Sequence, residues 1–144
     1  MGKVSIVYWS GTGNTEAMAA AMAEGAKDAG AEVELLTVDK ADAAALSEAK
    51  AFALGCPAMG AEVLEEGEME PFMAELDSQI AGKTIALFGS YGWGGGEWMR
   101  DWESRVVSDG AAGLFGGGII ADNAPDDDVL AECRAAGAKL AALV

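Results

Sequence analysis

The feature that most constrains this chain is a series of short, almost continuously apolar runs separated by stretches of helix-forming residues. Val4-Ser5-Ile6-Val7-Tyr8, Ala51-Phe52-Ala53-Leu54-Gly55 and Thr84-Ile85-Ala86-Leu87-Phe88-Gly89 lack the polar–apolar alternation of a strand with one face in water. Strands of this kind are covered on both faces, as in a parallel sheet between two layers of helices. Val33 to Val38 reads as a further strand. Leu114 to Ala121 contains the last one, weakened by Gly116-Gly117-Gly118.

The intervening stretches read as helices. Thr15 to about Ala29 is rich in Ala, Met, Glu and Lys and is closed by Gly30. Asp42 to Glu48 is a short helix with an Asp cap, and Glu68 to about Leu76 is helical and acidic. Gly96 to about Ser108 places Trp98 and Trp102 on one face. Asp126 to Val144 is Ala-rich, and Pro125 with Asp126-Asp127-Asp128 suits the positive end of its dipole. Strand and helix thus alternate five times. Crossovers of this length give right-handed βαβ units, so the expected fold is a three-layer, doubly wound α/β sheet of five parallel strands. A chain of 144 residues, 51% of them hydrophobic, fits one such domain over residues 1–144.

Composition then removes whole classes of function. The chain has no histidine, which excludes His-based triads, His general bases and His-containing metal sites together. Cys56 and Cys133 match no metal-ligand spacing and read as free, mostly buried thiols. Nine Lys and Arg stand against 24 Asp and Glu, a net charge of −15, which repels nucleic acid and anionic lipid and attracts basic protein partners. No apolar stretch is long enough to span a membrane and no signal region is evident, so a monomer in the cytoplasm is the expectation.

In a doubly wound sheet, ligands bind outside the carboxyl ends of the strands, where the strand order reverses. Three loops there are unusual. Ser10-Gly11-Thr12-Gly13-Asn14-Thr15 combines two glycines, which let successive N–H groups converge, with three hydroxyl groups and the positive end of the following helix. It reads as a phosphate cradle. It lacks the Gly-Lys-Ser/Thr ending of a Walker A loop, and Glu16 stands where the dinucleotide fingerprint needs a third glycine. With no cation in the loop, it suits a resident monophosphate ester and not phosphoryl transfer.

The second loop is Cys56-Pro57-Ala58-Met59-Gly60-Ala61-Glu62, in which Pro57 stiffens the strand exit and Met59 is either core filling or a polarizable surface for a ring. The third, Gly89-Ser90-Tyr91-Gly92-Trp93-Gly94-Gly95-Gly96, sets Trp93 between glycines, exposed enough to stack on a planar ligand. A phosphate cradle and two flat walls at one sheet edge describe a site for a phosphorylated aromatic ring system.

The segments Tyr8-Trp9-Ser10-Gly11-Thr12-Gly13-Asn14-Thr15-Glu16, Gly55-Cys56-Pro57-Ala58-Met59-Gly60 and Leu87-Phe88-Gly89-Ser90-Tyr91-Gly92-Trp93-Gly94 closely resemble the short-chain flavodoxins of anaerobic bacteria. The resemblance implies the strand order 2-1-3-4-5, for which flavodoxin is itself the standard example. It implies non-covalent FMN with its phosphate on Ser10 to Thr15 and its ring between Met59 and Trp93. Glu62 would meet the N3 edge of the ring. The backbone of Gly92 and its neighbours Ser90, Tyr91 and Gly94 would contact the pyrimidine end. Pro57 and Ala58 complete the inner wall, and the Gly60-Ala61 peptide would turn over on one-electron reduction.

The implied function is a low-potential electron carrier working between redox proteins, cycling mainly between semiquinone and hydroquinone, and not an enzyme. The alternative is an FMN-dependent NAD(P)H oxidoreductase of the same fold. Bottom-up electrostatics agrees with a carrier, because a dianionic phosphate and a net −15 protein disfavour further negative charge on the ring. Glu62, Glu65, Glu66, Glu68, Glu70, Glu75 and Asp77 crowd one stretch with no Lys or Arg between Lys50 and Lys83, a surface suited to basic docking patches on reductases and electron acceptors.

Overall fold

The computed structural model describes residues 2–60, 63–92, 94–114 and 117–144. Its parallel strands are β1 (Lys3–Tyr8), β2 (Glu32–Thr37), β3 (Ala51–Gly55), β4 (Thr84–Tyr91), β5 (Ala112–Gly113) and β6 (Ile119–Asp122). The helices are α1 (Asn14–Asp28), α2 (Ala43–Leu46), α3 (Met69–Leu76), α4 (Glu97–Ser108) and α5 (Asp127–Leu143). The strands lie in the order β2-β1-β3-β4-β5, with β6 also paired to β4. This is the doubly wound sheet in the expected 2-1-3-4-5 order, its fifth position filled by two short strands.

That split corrects the expectation of one last strand between Leu114 and Ala121. Pairing with β4 begins earlier, at Ile85↔Gly113, stops, and resumes at Phe88↔Ile119. Five residues of sequence separate Gly113 from Ile119 but only two separate Ile85 from Phe88, so the two pairings cannot belong to one regular ladder. The Gly118 amide donates to the Glu103 carboxylate on α4 in place of a strand partner. A Cβ on Gly118 would lie 2.3 Å from Met99 Sδ, so a larger residue there would displace the Met99 side chain.

Alternation along the central strands divides their side chains between the two faces. Val4, Ile6 and Tyr8 of β1, Ala51 and Ala53 of β3, and Ala86 and Phe88 of β4 pack under α1 and α5. Val7, Phe52, Leu54, Ile85 and Leu87 pack under α3 and α4 with Met69, Met73, Trp98 and Trp102. Trp98 and Trp102 share the inner face of α4, as their spacing predicts, and each is about 1% exposed.

The helix ends follow local rules. Asp42 Oδ1 accepts the Ala44 amide at 3.0 Å, so the expected Asp42 cap forms, and Asp126, expected only to suit the helix dipole, also acts as a cap by accepting the Val129 amide on Oδ1 at 2.9 Å. α1 and α5 approach so closely that a Cβ on Gly137 would lie 1.9 Å from the Met22 carbonyl oxygen, and one on Gly25 2.0 Å from that of Arg134. This pair of glycines lets α1 and α5 meet at backbone contact. Among the described residues no helix is long and apolar enough to cross a membrane.

Candidate functional site: a cleft at the carboxyl edge of the sheet

An open cleft of about 240 Å³ lies where the strand order reverses. From the first loop it is lined by Gly11, Thr12 and Asn14, from the second by Pro57, Ala58 and Met59, and from the third by Ser90, Tyr91 and Gly92. Three loops separated by some eighty residues of sequence thus converge, because β1, β3 and β4 are neighbours in the sheet and end at the same edge.

The first loop has the chemistry of an anion cradle. Gly13 adopts φ +94°, a left-handed conformation open to glycine at no steric cost, and it turns the chain into α1. Ser10 Oγ accepts the amides of Gly13 at 3.2 Å and Glu16 at 3.3 Å, which folds the loop over the helix end. The amides of Thr12, Asn14 and Thr15 find no acceptor among the described residues. Free donors at the positive end of a 15-residue helix are what a phosphate monoester requires. Tyr8 Oη donates to Glu16 Oε2 at 3.2 Å and braces the first turn. Burial, then the Glu16 charge, raises the Tyr8 pKa, so the phenol stays protonated.

Ser10 and Gly13 shape the cradle without lining the cleft. Thr15 is placed differently: it is 1% exposed, and its hydroxyl lies 3.2 Å from that of Ser90.

The second loop is a tight turn. Met59 and Val63 exchange both backbone hydrogen bonds, at 2.9 and 3.0 Å, as an antiparallel bridge. Gly60 at its tip has φ +47°, and a Cβ there would meet nothing within 4 Å, so backbone conformation and not space asks for glycine. The turn's second foot is tied down by Glu65, whose amide donates to Cys56 Sγ at 3.4 Å. The Glu65 carboxylate accepts the amides of Gly67, Glu68 and Met69 at 2.7–3.0 Å, forming the cap of α3. Desolvation pushes its pKa up, but the three amide donors outweigh that and hold it below the usual carboxylate range. Burial pushes the Cys56 thiol up to about 12, so it stays protonated and inert. Cys133 is likewise a buried free thiol, raised to about 12 by burial.

Under the third loop, Trp98 Nε1 donates to the Cys56 carbonyl at 3.0 Å and its ring meets Tyr91 with centroids 5.7 Å apart. Gly94 is exposed and stands outside the cleft lining. Ala61, Glu62 and Trp93, and with them the Gly60-Ala61 peptide, lie outside the described residues.

Two cleft residues were not singled out from the sequence. Trp9 follows β1 and donates from Nε1 to Glu68 Oε1 at 3.2 Å. Its signal was its place between strand one and the glycine loop. Asn123 follows β6 with φ +59°, and its amide donates to the Tyr91 carbonyl at 2.7 Å. Its signal was the Asp122-Asn123 pair at a strand's carboxyl end, a polar stop of the kind that tolerates left-handed backbone.

The acidic stretch beside the cleft is not uniform. Arg105 on α4 pairs with Glu70 at 2.8 Å and with Asp77 at 2.8 Å, and Glu65 is used as a cap. Glu66, Glu68 and Glu75 remain exposed. Among the described residues no group of three or more His, Cys, Asp or Glu could hold a metal.

Comparison with known proteins agrees with this geometry. The flavodoxin family matches residues 6–137. The chain is 46% identical to the flavodoxin of Clostridium beijerinckii, over 96% of this chain and 99% of that protein. It is 46% identical to the flavodoxin of Megasphaera elsdenii, over 92% of this chain and 98% of that one. The solution structure of the two-electron reduced Megasphaera elsdenii flavodoxin superposes with a TM-score of 0.86, covering 94% of this chain and 98% of that one at 44% identity.

Proposed function

The chain belongs to the flavodoxin family, whose members carry electrons on non-covalently bound FMN, and we propose how this cleft performs that work. Ser10 to Thr15 hold the phosphate, through the amides of Thr12, Asn14 and Thr15 and the hydroxyl of Thr12. Met59, with Pro57 and Ala58 behind it, forms one wall for the ring, and the Ser90–Gly92 backbone bounds its edge. Glu62, Trp93, Ala61 and Gly94 complete the proposed contacts on the strength of the sequence resemblance. When bound, FMN supplies a ring that takes up and releases electrons for partner proteins. The protein's own part is to orient that ring, to shield its apolar faces from water, and to surround it with negative charge. The chain is a carrier and not an enzyme, as flavodoxins are.

The observation that carries this reading is the set of acceptor-free amides at the start of α1, opening onto an apolar cleft with no cation of its own. Removing the phosphate from the ligand, by using riboflavin in place of FMN, should weaken binding at least tenfold, about 1.4 kcal/mol, in a fluorescence titration of the apoprotein. Unchanged affinity would remove the cradle from the proposal.

Exposed Glu66, Glu68 and Glu75 form the face we propose for docking basic patches on redox partners, in weak encounters screened by salt. Electron transfer from a partner reductase should slow as ionic strength rises, and a salt-independent rate would contradict the docking face. Net charge of −15 also keeps copies of the chain apart, in keeping with a monomer. Two unpaired buried thiols suit the reducing cytoplasm.

A further inference from the structure

Thr15 and Ser90 are two of only three buried polar side chains among the described residues, at 1% and 4% exposure. A buried hydroxyl without a partner is costly, so such groups are retained where each satisfies another. Here each satisfies the other across 75 residues of sequence: the two hydroxyls lie 3.2 Å apart, and the Ser90 amide donates to Thr15 Oγ1 at 3.3 Å.

The consequence lies in what each residue is attached to. Thr15 sits in the first turn of α1, one residue after Asn14 in the anion cradle. On the other side of Ser90, its carbonyl accepts the Ala58 amide at 2.9 Å, and Ala58 precedes Met59 on the ring wall. This bond carries the β3–β4 ladder past the last strand residue of β3, Gly55. The Thr15 hydroxyl is thus tied to both the hydroxyl and the amide of Ser90, and the Ser90 carbonyl in turn holds the segment proposed to face the ring.

We propose that Ser90 is a positioning residue that joins the phosphate cradle to the ring wall, so that filling one subsite sets the geometry of the other. This rests on the FMN reading above and adds to it a specific energetic coupling. Ser90 acts through Thr15 and Ala58. A contribution of this kind appears when both halves of one ligand are bound together, and not when either is bound alone.

The test compares three probes on the wild-type apoprotein and on the Ser90→Ala variant: FMN, riboflavin and inorganic phosphate, each by titration. Riboflavin reports the ring wall, phosphate reports the cradle, and FMN reports both. For Ser90→Ala, affinity for phosphate should stay within twofold and for riboflavin within about threefold, while affinity for FMN falls about tenfold. Thr15→Val also removes the acceptor of the Ser90 amide and should lose more FMN affinity than Ser90→Ala, adding Ser90→Ala to it should lose nothing further, and Thr15→Ser, which keeps the hydroxyl, should behave as wild type. An unchanged FMN-to-riboflavin preference in Ser90→Ala would overturn the coupling. A loss of phosphate affinity as large as the loss of FMN affinity would also overturn it, by showing that Ser90 supports the cradle alone. If Ser90→Ala does not fold, Thr15→Val with its Ser control carries the same test. Failure of the wild type to bind either flavin would instead refute the FMN reading, leaving the two failures distinct.

Discussion

The two faces of the sheet differ in how their helices meet. Under α1 and α5 the strands present Ala51, Ala53 and Ala86 beside Val4, Ile6, Tyr8 and Phe88, and the helices meet through Gly25 and Gly137 at backbone contact. Under α3 and α4 the same strands present Phe52, Leu54, Ile85 and Leu87 against methionines and two tryptophans, and the seam between the helices is closed by Arg105 and its carboxylates. Small residues fix where a helix lies, because backbone cannot yield. Large side chains fill space and can repack. The division fits the proposed function, in which α1 has to hold its first amides in fixed geometry while α4 makes no such contact.

The sharpest way to break this comparison is to add one carbon to the first face. Gly137→Ala places a Cβ against the Met22 carbonyl and should cost about 3 kcal/mol in urea unfolding. Met73→Leu exchanges a whole buried side chain on the second face and should cost less than about 1.5 kcal/mol. Equal costs would erase the distinction.

Arg105→Met is the next largest expected effect. It leaves Glu70 and Asp77 facing one another without their cation, and should cost about 1–2 kcal/mol, less at high salt because the seam is partly exposed.

The smallest effect is one of pH. Asp109 closes the same seam, with its Oδ2 atom buried. Desolvation, then the hydrogen bond and charge of Asp77, raise its pKa to about 6. On Asp77 desolvation pushes the other way from the net shift: the hydrogen bonds of Arg105 and Asp109 together with the Arg105 charge outweigh it and hold the carboxyl below its usual range. A raised folded-state pKa means that Asp109 contributes stability below about pH 4, its unfolded value, and loses it as pH rises through about 6. Asp109→Asn should therefore melt higher than the parent at pH 8, with the advantage shrinking through pH 6 and gone below pH 4. A gain of equal size at pH 4 and pH 8 would show that Asp109 is not the group responsible.

Much of this architecture was legible in the sequence, for a physical reason. Strands covered on both faces must be apolar at every position, so β1, β3 and β4 announce themselves within their own few residues. The cradle was legible because its signal is local: two glycines and three hydroxyls before a helix. The last strand was not, because the Gly116–Gly118 run carries no side-chain pattern and the acceptor of the Gly118 amide, Glu103, lies in another element. What single residues do within the site was also hidden where the partner is distant. Nothing in the sequence around Thr15 shows that its hydroxyl pairs with Ser90, and nothing near Glu70 or Asp77 shows that Arg105 neutralises them. Glu65 reads as one more surface acid until the amides of α3 are seen to converge on it.

The most direct test of the central claim, that this cleft holds FMN for one-electron transfer, is a stepwise dithionite titration of the FMN-loaded protein followed by visible spectroscopy. The account predicts one FMN per chain and reduction in two separated one-electron steps, the first giving a blue species with a long-wavelength absorption band. Bleaching in a single two-electron step, or a chain that takes up no FMN, would contradict it.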